Sequence, residues 1–143
     1  MKSSVLASIA RDAMRVPRGL APQKALQTTV PLNTRCNLRC SCIFIAVNPN
    51  YPTGYNEAGL SSEKMKVVLK NLSPATHNVI FTGGETFLYK GFTGLLEYAR
   101  TELSFNSLSA ISNGMFLESK PEILRGLNHV AVSYDLMRRG AVS

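Results

Sequence analysis

Four short apolar runs, each ending on a polar or glycine-bearing segment, set the strongest constraint on how this chain folds. They are Thr28-Thr-Val-Pro-Leu32, Asn78-Val-Ile-Phe-Thr82, Leu108-Ser-Ala-Ile-Ser112 and His129-Val-Ala-Val-Ser133. Runs this short, rich in β-branched residues and bounded by turn formers, read as buried strands rather than helices. Helical patterns lie between them. Ser61 or Ser62 caps a helix continuing through Met65, Val67, Val68 and Leu69. Phe92 to Leu103 carries Leu95, Leu96 and Tyr98 near helical spacing, and Pro121 opens a short helix over Glu122 to Leu127. Val47 to Gly59, with Pro49, Pro52 and Gly54, reads as a long loop. Strand and helix in strict alternation predict an α/β fold with a parallel sheet of right-handed strand–helix–strand units.

In such folds ligands sit outside the carboxyl ends of the strands. The chemically notable residues fall there. A cysteine loop follows strand one, Gly83-Gly84-Glu85 follows strand two, Ser112-Asn113-Gly114 follows strand three, and Ser133-Tyr134-Asp135 follows strand four. Each has a plainer reading beside the ligand one. Gly83-Gly84 also suits a simple strand-to-helix turn, Asn113-Gly114 is a common turn dipeptide, and Asp135 suits a helix cap. His77 and His129 lie at strand starts, on the opposite rim, and are poor metal-ligand candidates. Phe92 and Tyr98 read as core residues.

All the cysteines of the chain, Cys36, Cys40 and Cys42, lie in one loop within seven residues. Thiolates so grouped make a soft-metal site suited to zinc, copper(I) or an iron–sulfur cluster. Zinc is the weaker fit, because neither a fourth ligand nor paired knuckle spacing is present. The odd number argues against a closed disulfide framework and for a reducing, cytoplasmic location. At 143 residues the chain has room for one modest core. No apolar run reaches membrane-spanning length, so no membrane partner is expected. The net charge of +7 is spread from Lys2 to Arg139 without a dense block. An ordinary basic surface explains it better than a nucleic-acid partner. Residues 1–27 read as a separate helix, with Val5, Leu6, Ile9, Ala10, Ala13 and Met14 on one face, and a linker from Pro17 to Pro22. Their Arg, Ser and Ala content also fits a mitochondrial presequence. Residues 28–143 form the main domain.

At these motifs the chain resembles the radical S-adenosylmethionine (SAM) superfamily. Cys36-Asn-Leu-Arg-Cys40 resembles the opening of its cluster motif, and Phe81-Thr-Gly-Gly-Glu85 its SAM-binding turn, with Thr86 in place of the usual proline. Ile111-Ser-Asn-Gly114 and Val132-Ser-Tyr-Asp135 resemble its third and fourth strand ends. The resemblance implies a partial (β/α)6 TIM-like barrel in which Cys36, Cys40 and Cys42 hold three irons of a [4Fe–4S] cluster. It implies that Gly83, Gly84 and Glu85 engage the methionyl amino group of SAM. Ser133 would face its ribose or carboxylate, while Ser112 and Asn113 line the cavity. The implied reaction is reductive cleavage of SAM to a 5′-deoxyadenosyl radical that takes hydrogen from a small-molecule or peptide substrate. A flavodoxin or ferredoxin would be the electron donor.

Two departures bear on that expectation. The family spacing is Cys-x3-Cys-x2-Cys, whereas this chain has Cys-x3-Cys-x-Cys, one residue shorter; Phe44 is a candidate replacement for the aromatic of the missing position. A barrel of six units needs about 190 residues, and the chain from Thr28 onward has room for about four. The expectation is therefore a truncated core with strand four as an edge: a fragment, a core completed by a partner subunit, or a degenerate remnant. The alternative is a non-catalytic, degenerate relative acting as a binding subunit.

Overall fold

A computed structural model describes residues 23–38 and 59–134, together with positions 7, 10, 11, 14 and 15, which are helical. The chain forms β1 (Ala25–Pro31), α1 (Ser62–Leu72), β2 (Thr76–Thr82), a 3-10 turn (Thr86–Leu88), α2 (Phe92–Thr101), β3 (Ser107–Ser112), α3 (Pro121–Gly126) and β4 (His129–Val132). The strands make one sheet in the order β1-β2-β3-β4, and every pairing is parallel. The alternation read from the sequence is therefore an α/β arrangement with a four-stranded parallel sheet.

β1 begins at Ala25, earlier than its apolar pattern indicates. Leu26 is 65% exposed, so burial does not extend the strand. Hydrogen bonding does. Asn78 Nδ2 donates to Leu26 O at 2.7 Å, and Thr76 Oγ1 donates to Ala25 O at 3.2 Å. These side chains tie down a polar strand end that periodicity alone cannot reveal.

Register decides which residues face the helices. Val30 lies beside Phe81, and Phe81 beside Ala110, so one row of side chains points to one face. These residues are buried with Val79 and Leu108 against Met65, Leu69, Phe92, Leu95, Leu96, Ala99 and Ile123. Phe81 and Phe92 meet edge to face, centroids 5.3 Å apart. Each such ring contributes about 1.5–3 kcal/mol by burial alone. The other face carries the row Thr29, Ile80, Ser109 and His129, half-buried or exposed.

Ser61 caps α1 by accepting from Lys64 N at 3.4 Å, which decides between the two serines offered by the sequence. Pro121 occupies the first turn of α3, where its missing N–H has no helical partner to lose. Tyr98 departs from the core expectation. It is half-buried, with Lys66 Nζ of α1 5.7 Å from its ring centroid. β4 pairs only with β3 among the described residues, and its last residue Val132 and Tyr134 beyond it are exposed.

Candidate functional site

The carboxyl ends of β1, β2 and β3 are held together by a specific set of backbone and side-chain contacts. Beyond the β1–β2 ladder, Leu32 N donates to Thr82 O at 2.8 Å. Gly84 N then donates to Asn33 O at 3.0 Å, and Glu85 N to Arg35 O at 2.5 Å. The turn after β2 thus lies directly against residues 33–35, the segment that enters the cysteine loop. Glycine is required for so close an approach. A Cβ on Gly83 would stand 2.5 Å from Asn33 O, and one on Gly84 would overlap Arg35 O and come within 2.6 Å of Thr34 O. The pair does more than turn the chain; it seats the approach to Cys36.

Glu85 is fully buried. Its Oε1 accepts from Ser112 Oγ at 2.8 Å and from Phe87 N at 3.0 Å, and its Oε2 accepts from Asn113 N at 2.8 Å. Donors of this kind replace the hydration that a carboxylate loses on burial. The side chain therefore clamps the turn after β2 to the end of β3, and its backbone carbonyl accepts from Asn33 Nδ2 at 3.2 Å. Thr86, standing where the resembled family has proline, donates through Oγ1 to Ile111 O at 2.7 Å. The substitution supplies a second tie between the same elements.

Ser112 is buried and also accepts from Gly114 N at 3.1 Å, so its hydroxyl is committed to the clamp. Asn113 is half-buried, and its Nδ2 donates to Asn37 Oδ1 at 2.8 Å. Asn37 Nδ2 in turn reaches Met115 Sδ at 3.2 Å. The residue after Cys36 is thereby latched to the end of β3. Cys36 is a half-buried free thiol whose Sγ accepts from Leu38 N at 3.4 Å. Ser133 is exposed, and its N and Oγ donate to Ser112 O at 2.9 and 3.3 Å. Cys40, Cys42, Arg39, Phe44 and Asp135 lie outside the described residues. Among the described residues, no three His, Cys, Asp or Glu side chains form a group able to hold a metal ion.

One residue of the site carries no motif signal. Asn33 is 5% exposed, and among the described residues its Oδ1 is buried without a hydrogen-bond partner. Only its position gives a hint: a polar side chain directly after an apolar strand, at the rim where ligands bind in parallel sheets. His77 and His129 lie at the amino-terminal side of the sheet, as expected.

The site thus defines a parallel α/β protein with a glycine–glutamate turn seated against the approach to a thiol-bearing loop. No protein-family model matches the chain. Over 113 residues it is 30% identical to the sporulation killing factor maturation protein SkfB of Bacillus subtilis strain 168. That alignment covers 78% of this chain and 26% of the relative, so the chain spans about a quarter of that protein's length. No helix among the described residues is long and apolar enough to cross a membrane.

Proposed function

We propose that this chain is a radical SAM-type protein, corresponding to the cluster- and SAM-binding strands of a partial (β/α)6 barrel. The observation that carries the reading is the seating of Gly83, Gly84 and Glu85 on residues 33–35, which joins two motifs that resemble that family's cluster and SAM sites. Similarity to a maturation protein supports it, and a role in maturing another molecule comes to this chain as part of the proposal.

The residues fit the groups on two counts. Three closely spaced thiolates are the donor set of an iron–sulfur cluster. At the other pole, backbone carbonyls and the unpaired Asn33 Oδ1 offer acceptors to an amine. Cys36, Cys40 and Cys42 would hold three irons of a [4Fe–4S] cluster. The backbone of Gly83, Gly84 and Glu85 would receive the amino end of SAM, with Ser112 and Asn113 behind it and Ser133 towards ribose or carboxylate. Bound together, cluster and SAM supply reductive carbon–sulfur cleavage, with electrons from a flavodoxin or ferredoxin.

The chain's own residues perform the positioning. The Glu85 carboxylate fixes β3 relative to the turn. Asn113 and Asn37 set the start of the cysteine loop against β3. Preorganised acceptors and ligands of this kind avoid reorganisation when a ligand arrives. Further strands beyond β4, from more of the same chain or from a completing subunit, would finish the barrel. Iron and acid-labile sulfide determination after anaerobic reconstitution tests the proposal. About four of each per chain are expected, with loss in Cys36→Ala, Cys40→Ala and Cys42→Ala. Zinc in place of iron, or iron unaffected by all three changes, would overturn it.

A further inference from the structure

The backbone N–H of Met115 is a donor, so the atom of Asn113 that it meets at 3.1 Å is the oxygen, Oδ1. The other end of that amide is then NH2, and the Asn37 atom 2.8 Å from it is an oxygen in turn. Asn37 therefore presents its own NH2 to Met115 Sδ at 3.2 Å, a thioether with acceptor character alone. The three hydrogen bonds close a ring in which each amide has a single consistent orientation. The ring is anchored from the core side, where Asn113 N donates to Oε2 of the buried Glu85 at 2.8 Å.

What the ring holds is the backbone beside Cys36. Asn37 stands between Cys36 and Leu38, and the Leu38 N–H donates to Cys36 Sγ at 3.4 Å. Donor and acceptor are thus separated by the one residue whose side chain is tied to β3. An N–H aimed at a sulfur two residues back needs the peptides between them to keep one course, and an untied loop samples many. On a thiolate, such a donor stabilises negative charge, and hydrogen bonds to the sulfurs help to set a cluster's reduction potential. Reduction adds an electron to a group rich in negative charge, so the bond favours the reduced state.

We propose that Asn37 is a positioning residue that, latched to β3 through Asn113, aims the Leu38 N–H at the Cys36 thiolate and raises the reduction potential of the cluster held there. This rests on the cluster reading above and adds to it the residue that tunes the first ligand. The step it acts on is one-electron reduction by the flavodoxin or ferredoxin, with no bond to Cys36 made or broken.

The test is a potentiometric titration, followed by electron paramagnetic resonance without SAM, of the full, anaerobically reconstituted chain and its variants. Hydrogen exchange of the Leu38 amide is measured in the same chains before reconstitution. Asn37→Ala keeps all three cysteines and is expected to keep its iron. Its reduced fraction at a fixed potential is expected to fall by roughly 3- to 10-fold, the size of one lost hydrogen bond. Tenfold corresponds to a downward shift of about 59 mV for a one-electron couple. The Leu38 amide is expected to exchange faster by a similar factor. Asn113→Ala should give the same shift, and the double variant no more than either alone, because both break one latch. An unchanged potential in Asn37→Ala, or shifts that add in the double variant, would overturn the assignment and leave the cluster reading standing. Should Asn37→Ala not hold a cluster, Leu38 exchange decides: acceleration supports the latch, and an unchanged rate overturns it. Failure of wild type to assemble any cluster would overturn both readings.

Discussion

Replacing Glu85 by glutamine probes the clamp that joins the turn after β2 to the end of β3. The amide side chain would keep one oxygen for Ser112 Oγ and Phe87 N, but its NH2 group would face Asn113 N, which now donates to the carboxylate at 2.8 Å. Two donors would then confront each other in a fully buried place. Leaving one buried N–H unpaired costs about 1–3 kcal/mol, and bonds to a neutral acceptor are about half as strong as bonds to a charged one. Relief of carboxylate desolvation acts in the opposite sense, by several kcal/mol at most. Three donors already stand in for water around this carboxylate, so most of that relief is absent. The net expectation is a loss of about 2–3 kcal/mol, or a melting temperature lower by roughly 6–15 °C. Urea and thermal unfolding followed by circular dichroism would measure it. Ser112→Ala should couple to Glu85→Gln by about 1 kcal/mol or more in a double-mutant cycle. Unchanged or increased stability in Glu85→Gln, with additive effects in the cycle, would refute the clamp.

Gly84→Ala should cost about 1–3 kcal/mol, because its Cβ would overlap the backbone of Arg35 and neither side has a flexible atom to yield; chemical denaturation checks it. Phe92→Ala removes a buried ring that packs on both Phe81 and Phe87, and should destabilise by about 3–5 kcal/mol in the same assay. Tyr89 is buried, and its hydroxyl donates to Leu60 O at 2.7 Å. Burial raises its pKa above 10.0. The folded state then holds the phenolic proton more tightly than the unfolded state, so stability is full below pH 10 and falls as pH rises through the folded pKa. Tyr89→Phe should weaken that alkaline decline relative to wild type, in unfolding curves recorded from pH 8 to 11.

Much of the scaffold is legible in the sequence, because its elements have strong local signals. Short β-branched runs mark the four strands, and Ser61, Pro121 and the turn glycines mark their neighbours. The start of β1 is not legible, since Asn78 and Thr76 hold it from another strand and no periodic burial marks it. Tyr98 reads as core but is not, because helical spacing does not say which edge of an apolar stripe meets solvent. At the site, the motif residues of the described strand ends are identifiable, but their division of labour is not. The Glu85 side chain binds Ser112, Phe87 and Asn113, a structural use that the motif does not reveal. Asn33 stays hidden because a lone asparagine after a strand resembles any loop residue until its burial is known.

The most direct test of the central claim is electron paramagnetic resonance of the reduced, anaerobically reconstituted chain, recorded with and without SAM. The account predicts a [4Fe–4S] signal whose shape changes when SAM is added, because the ligand would bind at the turn of Gly83 and Gly84, which lies against residues 33–35 at the entry to the cysteine loop. A cluster signal indifferent to SAM, or no cluster at all, would contradict it.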